Sequence, residues 1–208
     1  GEISFFNGSI WNFSPVPSTT STTSSTGRIW MDRNLGATQV ATSSTDAASY
    51  GDLYQWGRAK DGHESRISNI TDNAAASATA NHSDFITAGS GTNYNWTNFE
   101  GEDDLWQSGL NDPCPTGYRI PTDTELNTER LSWTFNTSVG AMNSPLKLPL
   151  AGYRYATDGN LKVVGFEGYY WSSTVSSSSA CYLTFKSSSA QNSNLDRADG
   201  YSVRCIKE

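Results

Sequence analysis

From Leu146 to the C-terminus, short runs of alternating apolar and polar residues are separated by Gly, Asn, Asp and Ser. This is the period of strands with one buried face. In "CYLTFK", Cys181, Leu183 and Phe185 share one face, and Tyr182, Thr184 and Lys186 share the other. The pattern predicts the first set inside, with Cys181 a small core residue, and the second set in solvent. "GYSVRCIKE" repeats the device, with Tyr201, Val203 and Cys205 on one side and Ser202 and Arg204 on the other. "LKLPLAGYRY" and "LKVVGFEGYYWSST" read as the strands before them.

Upstream, two segments read as helices. In "TDAASYGDLYQWGRAKDG", Thr45 or Asp46 can cap a helix carrying Ala47, Tyr50, Tyr54 and Trp56, weakened at Gly51 and ended by Gly57. In "GYRIPTDTELNTERL", Pro121 closes a strand, and Thr122 with Glu125 three residues later forms a capping box. A short helix is therefore predicted from Asp123 to about Leu131. "RIWMDRNLGA" predicts a strand over Arg28 to Asn34 that ends at Gly36. Residues 14–27, "SPVPSTTSTTSSTG", read as a linker or a long hairpin loop. Residues 62–110 are polar, poor in aliphatics and read as a long irregular insert, of a length that is usually functional or internally organised. Two helices, this insert and a terminal antiparallel sheet predict an α+β fold. The chain divides into an N-terminal strand with a low-complexity polar loop (1–26) and one main domain (27–208).

Composition refines this picture. Only 36% of the 208 residues are hydrophobic, but seven Trp, ten Tyr and eight Phe are present. The core is thus expected to rest on a few large rings, each burying roughly 150–250 Å². Ser and Thr fill about a quarter of the chain, and the net charge is −7. No basic run exists to neutralise a phosphate backbone, so no nucleic-acid partner is expected. No stretch approaches the roughly 20 apolar residues of a membrane span.

Candidate chemistry is sparse. The three cysteines, Cys114, Cys181 and Cys205, form no CxxC pair, and with two His a zinc site is not expected. A disulfide between two of them, leaving one over, suits an extracellular protein. His63 and His82 lie in polar loop sequence and are expected in solvent. Glu100, Glu102, Asp103 and Asp104 could serve as paired carboxylates for glycoside hydrolysis, but read better as a solvated acidic loop. "GEDD" with Asn111 and Asp112 offers oxygen ligands for a structural calcium, yet spacing alone assigns none. The Glu-Pro-Asn and Gln-Pro-Asp triplets of calcium-dependent sugar lectins are missing. No metal, no other cofactor and no enzymatic activity is expected.

Six ordered motifs remain: "GRIWMDRNLGA", "YGDLYQWGR", "NDPCPTGYRIPTDTEL", "LPLAGYR", "GYYWSST" and "RADGYSVRCIKE". Together they resemble the Fibrobacter succinogenes major paralogous domain family, over about residues 27 to 208. The C-terminal part of that family resembles the variable proteins of diversity-generating retroelements. Both are linked to the C-type lectin fold, in the branch of formylglycine-generating enzyme. The resemblance implies a C-type lectin-like domain with two helices and a small antiparallel sheet, whose terminal strands pair and whose Cys114 and Cys205 lie close enough to bond. It implies a bacterial surface, extracellular or virion-associated protein that binds a protein or glycan receptor.

By the same resemblance, residues of about 170–205 form a ligand-facing variable region. Its replaceable positions would be Ser176, Ser178, Ser179, Tyr182, Thr184, Lys186, Ser189, Gln191, Leu195, Asp196 and Asp199. Tyr170, Trp171, Arg197, Gly200, Val203 and Arg204 would be scaffold. The alternatives are a non-diversified cell-surface domain with a structural or adhesive role, whose Ser-rich loops are solvent-facing filler, or, further off, a carbohydrate-binding lectin or an enzyme.

Overall fold

The computed structural model describes residues 2–6 and 11–15 as backbone, and residues 20–88 and 95–208 in full. A hairpin of β1 (Glu2–Phe6) and β2 (Trp11–Pro15) comes first. Next are β3 (Ser21–Thr23), β4 (Ile29–Met31) and the short β5 (Tyr54–Gln55), β6 (Ile70–Thr71) and β7 (Phe85–Ile86). Helix α1 (Asp104–Gln107) precedes β8 (Tyr118–Arg119), which leads into α2 (Asp123–Leu131) and α3 (Ser138–Asn143). The C-terminal part holds β9 (Tyr153–Arg154), β10 (Leu161–Lys162), β11 (Glu167–Ser176), β12 (Ser179–Lys186), β13 (Ser189–Leu195), β14 (Gly200–Tyr201) and β15 (Ile206–Lys207).

Among the described residues these strands make five sheets. Three carry the architecture, with orders β3-β4-β15-β8, β10-β9-β14-β5 and β11-β12-β13. The expected α+β, C-type lectin-like architecture of two helices and one small sheet is therefore corrected. The protein is mostly β, about 28% strand against 12% helix, with several small antiparallel sheets and three α-helices, and nothing identifies a C-type lectin-like fold.

The helix expected after Thr45 accounts for part of the difference. Asp46 does cap, accepting from the Ala48 amide, but only a 3₁₀ turn forms, Ala47–Ser49. Gly51 then adopts φ +68°, where a Cβ would lie 2.2 Å from the Leu35 carbonyl. That backbone turns the chain out of helical geometry. Tyr54 and Trp56, two residues apart, enter the core from extended backbone instead. The strand expected over Arg28 to Asn34 is likewise shorter, at Ile29–Met31, and part of the polar stretch 14–27 forms β3. The insert 62–110 contains β6, β7 and α1; its residues 89–94 lie outside the described ones.

Helix α2 spans Asp123–Leu131 with both halves of its capping box made by Thr122 and Glu125. Glu125 also takes a bidentate pair from Arg119 at 2.8 and 2.7 Å, and a further contact from Arg28. Those hydrogen bonds and charges hold its carboxyl at about 2, against the burial that opposes them.

Two buried clusters fill the interior. One gathers Trp56, Trp96, Trp106, Trp171 and Tyr201 around the disulfide. The other packs Leu126 and Trp133 against Tyr170, Leu183 and Phe185 of the β11–β12 pair. Cys114 bonds Cys205 across 91 residues, with a Cα–Cα distance of 5.9 Å. Among the described residues, no helix is long and apolar enough to cross a membrane.

Phe185 stacks on Tyr170, meets Trp133 edge-on and occupies the space a Cβ on Gly168 would need. Urea denaturation of Phe185→Ala should show a loss of roughly 3–5 kcal/mol, whereas Thr184→Asn on the opposite face should change stability by about 0.5 kcal/mol or less. Equal losses would overturn the assignment of faces. Replacing both Cys114 and Cys205 by Ser should remove roughly 4–5 kcal/mol on the chain-entropy account, read as a lower urea midpoint.

Candidate functional site

The three-stranded sheet β11-β12-β13 packs one face against the second buried cluster; its other face joins the first cluster at Trp171, Ala180 and Tyr182 and is open along Glu167, Thr184, Lys186 and Gln191. In register, Tyr169 opposes Thr184, which opposes Gln191; Glu167 opposes Lys186, which opposes Ser189. Opposed residues of an antiparallel pair share a face. The replaceable positions Tyr182, Thr184, Lys186, Ser189, Gln191 and Leu195 therefore stand on one face with Glu167, Tyr169 and Trp171. The other face presents Tyr170, Leu183, Phe185 and Ala190 to α2 and α3.

Exposure along the outer face is graded. Lys186 and Gln191 are exposed and Thr184 is half-buried. Tyr182 was expected in solvent and is instead only 8% exposed, because it packs against Trp171, Tyr169 and Tyr201. Cys181 was expected in the core and is half-buried. It keeps the face of Leu183 and Phe185 that alternation assigned to it, but near the turn end of the strand, where that face is less covered.

At one end of this face, Glu167, Tyr169, Tyr182, Thr184, Lys186, Ser189 and Gln191 line a groove of about 290 Å³. At the other end, Ser178 and Asp196 border a larger recess of about 490 Å³ with Glu100, Glu102 and Asp103. Ser176 and Ser179 pair across the exposed turn between β11 and β12, and Leu195, 42% exposed, ends β13. Ten of the eleven replaceable positions thus lie along this one sheet and its two ends.

Asp199 does not. It is 3% exposed, its carboxylate accepting from the Ala156 amide at 2.7 Å and the Tyr201 hydroxyl at 3.1 Å. It supports the aromatic cluster from beneath and cannot face a ligand. The scaffold positions Tyr170, Trp171, Arg197, Gly200, Val203 and Arg204 are all buried. Arg197 lies 4.9 Å from the Trp56 ring centroid and reaches Asp103 and Glu102 with its guanidinium. That contact ties the acidic loop to the sheet end. Glu102 is consequently a pairing group whose burial raises its pKa while Arg197 lowers it.

Two of the residues considered for calcium carry structural hydrogen bonds. Asp112 accepts from the Cys114 and Ile120 amides, and the Asn111 side chain donates to the Gly57 and Ala78 carbonyls.

Sequence reasoning missed a second polar knot. His63, expected in solvent, is fully buried. Its Nε2 accepts from the Gln55 amide at 3.1 Å and its Nδ1 bonds Asp61 at 2.7 Å. Burial pushes its pKa down, so the ring is neutral. Asp61, His63 and Glu64 come close enough together to suggest a metal. With Nε2 accepting and Nδ1 donating, however, the ring has no lone pair to give, and Arg58 already holds Asp61. The knot braces the turn that positions β5.

A family described as a domain of unknown function, DUF8237, matches residues 135–206, which include α3, the three-stranded sheet and the groove. No curated protein and no solved structure matches the chain.

Burial, with Asp196 adding to it, pushes the Asp199 carboxyl up to about 6 from an ordinary 3.8. A carboxyl raised in the folded state costs nothing below about pH 4, where both states are protonated. The cost grows between pH 4 and 6, and is complete above about pH 6 at roughly 2–3 kcal/mol. Asp199→Asn keeps an acceptor for the Ala156 amide, so it should stabilise the protein at pH 7.5 by roughly 1–3 kcal/mol and leave it little changed at pH 4. Chemical denaturation at the two pH values measures this; a destabilised variant at pH 7.5 would show that the ionised carboxylate is needed.

Proposed function

We propose that this chain is a receptor-recognition protein that binds ligands through the outer face of β11-β12-β13, and that this face accepts side-chain replacement as a variable surface. The observation that carries the reading is the division of labour across one sheet. Tyr170, Leu183 and Phe185 pack inward, while Thr184, Lys186, Ser189 and Gln191 stand on the other face and line its open groove. Their replacement would leave folding almost untouched.

Beside them on the same face lies a cluster of packed rings. Trp171 stacks on Tyr201 at 4.1 Å, and Tyr201 meets Tyr153, Tyr169 and Tyr182 within 5.8 Å. Tyr and Trp give large contact area at small entropic cost, and small polar neighbours adapt by hydrogen bonding, as in antibody loops. The Ser-rich side chains around them supply few anchors, so the surface as it stands binds weakly. The disulfide suits an extracellular, cell-surface or virion setting, where oxidising conditions keep it closed.

A display library varying Ser176, Ser178, Ser179, Thr184, Lys186, Ser189, Gln191, Leu195 and Asp196 tests the reading. Most members should fold, and selections against unrelated proteins and glycans should each return binders. Equal effort on Trp171, Gly200, Val203 or Arg204 should yield mostly unfolded chains. At Gly200 a Cβ would already meet Phe85 at 3.0 Å and Arg154 at 3.1 Å. Failure of the first library to fold, or folded members that bind nothing, would end the proposal.

A further inference from the structure

Two tyrosines that line the groove at the Glu167–Lys186 end of the sheet, Tyr169 and Tyr182, belong to a cluster of tyrosine rings. Tyr169 lies 4.9 Å from Tyr153 between ring centroids, with the planes at 57°. Tyr155 stands perpendicular to Tyr153 at 6.2 Å, and Tyr182 flanks Tyr169 on the other side at 5.9 Å. The Tyr169 hydroxyl donates to the Glu167 carboxylate at 2.5 Å. Burial and that carboxylate both hold the phenol above its usual pKa, so it stays a neutral donor. A phenol donating to a carboxylate gains electron density in its ring, which deepens the negative potential over its face. Among the described residues Glu167 belongs to no ion pair, although Lys186 lies opposite it in register.

We propose that this groove receives the ammonium group of a lysine side chain presented by a protein partner. The inference rests on the binding reading above and names the chemistry that would be recognised. Ring faces and a nearby carboxylate are the two features that attract an alkylammonium leaving water. The protein makes the same arrangement on the rim of this cluster with a side chain of its own. The Lys162 Nζ lies 5.7 Å from the Tyr155 ring centroid and pairs with Asp158 at 2.8 Å. Tyr169 and Glu167 repeat that ring-and-carboxylate combination among the residues that line the groove.

An ammonium fits better than a guanidinium. The Tyr169 hydroxyl already bonds Oε2 of Glu167, so among the described residues Oε1 is the carboxylate oxygen with no hydrogen bond of its own. A compact ammonium needs only one acceptor, whereas the planar arginine fork is matched to two. The net charge of −7 favours approach of a basic partner over long range.

The test is an NMR titration of the whole chain with N-acetyl-lysine methylamide, its Nε-acetylated derivative and N-acetyl-arginine methylamide. The lysine compound should shift the ring resonances of Tyr169, Tyr153 and Tyr182 in a saturable way. It should bind roughly tenfold more tightly than the neutral acetylated compound. Glu167→Gln, a neutral replacement of similar shape on a partly exposed strand, should weaken it several-fold without moving the inner-face resonances of Leu183 and Phe185. Equal binding of charged and acetylated lysine, or no shift at Tyr169, would overturn the cation assignment. Tighter binding of the arginine compound would overturn the choice of lysine. If the library still yields binders after either result, the binding reading survives and this inference alone fails. If the library fails while lysine binds at Tyr169, the reverse holds.

Discussion

The constraint on which the rest of the structure depends is the burial of one continuous segment, residues 197–206. Its backbone must find partners in the interior, and most of it lies outside regular strands. The Arg197 carbonyl accepts from the Trp56 amide, the Val203 carbonyl from Leu35 and the Cys205 carbonyl from Met31. Ser202 exchanges bonds with Tyr169 and Trp171, while Gln55 donates to the Ala198 carbonyl. The segment is thus the thread that ties β4, β5 and β11 to one another. Arg204 is its most demanding member, fully buried with no carboxylate bonded to it. Asn34 Oδ1 accepts from its Nε and Nη2, and the Leu146 carbonyl accepts from Nη1 at 2.6 Å. Burial pushes its pKa down to about 10, so it stays charged at neutral pH. Hydrogen bonds to a charged group contribute roughly 1.5–3 kcal/mol each, and those bonds offset a desolvation cost of several kcal/mol. Removing Asn34 would leave that cost unmatched.

The same logic runs through a core short of aliphatic residues. Large indoles fill the volume, and although Trp30 Nε1 finds no partner among the described residues, others use their N–H to tie segments together. Trp56 donates to the Ser172 carbonyl, Trp171 to Tyr54, and Trp96 to Trp56, at 2.6 to 2.8 Å. These bonds join β5 to β11 from both sides, so ring packing and strand position are fixed together. Arginines complete the packing. Arg154 lies 4.3 Å from the Phe85 ring centroid and donates to Gly159, Ser65 and Ser68. Loops with little regular structure are held by such side-chain forks where a ladder would otherwise serve. This explains how a chain rich in Ser, Thr and Gly keeps a fixed interior.

How far the sequence reveals this depends on the range of the forces involved. The α2 helix is legible because its signal is local: Thr122, Glu125 and Pro121 are neighbours in sequence and act within one turn. The Leu183 and Phe185 face is legible because alternation survives wherever a strand is long enough to show it. The helix expected after Thr45 fails on a nonlocal fact, the Leu35 carbonyl lying where a Cβ of residue 51 would be. His63 reads as exposed because its neighbours are polar, yet those neighbours are what bury it, by satisfying both ring nitrogens. In 200–206 alternation misleads, since both faces of that segment are covered. Asp199 belongs to the same error: position in a polar run says nothing of a backbone amide waiting 43 residues earlier in the chain.

The candidate face inherits its character from these constraints. Tyr201 lies on the buried segment, and through it the rings of Trp171, Tyr153, Tyr169 and Tyr182 are held at fixed separations. Asp199 bonds the Tyr201 hydroxyl from below, so the ring cluster is anchored on both sides. A surface built this way separates rigidity from identity. On the proposed reading the rings would set where a ligand rests, and their own packing is part of the core. On the same reading the polar residues beside them, Thr184, Lys186 and Gln191, would decide what the surface prefers. Affinity gained at such positions costs little stability, because a preorganised ring cluster spares the ordering entropy that a flexible loop would lose on binding.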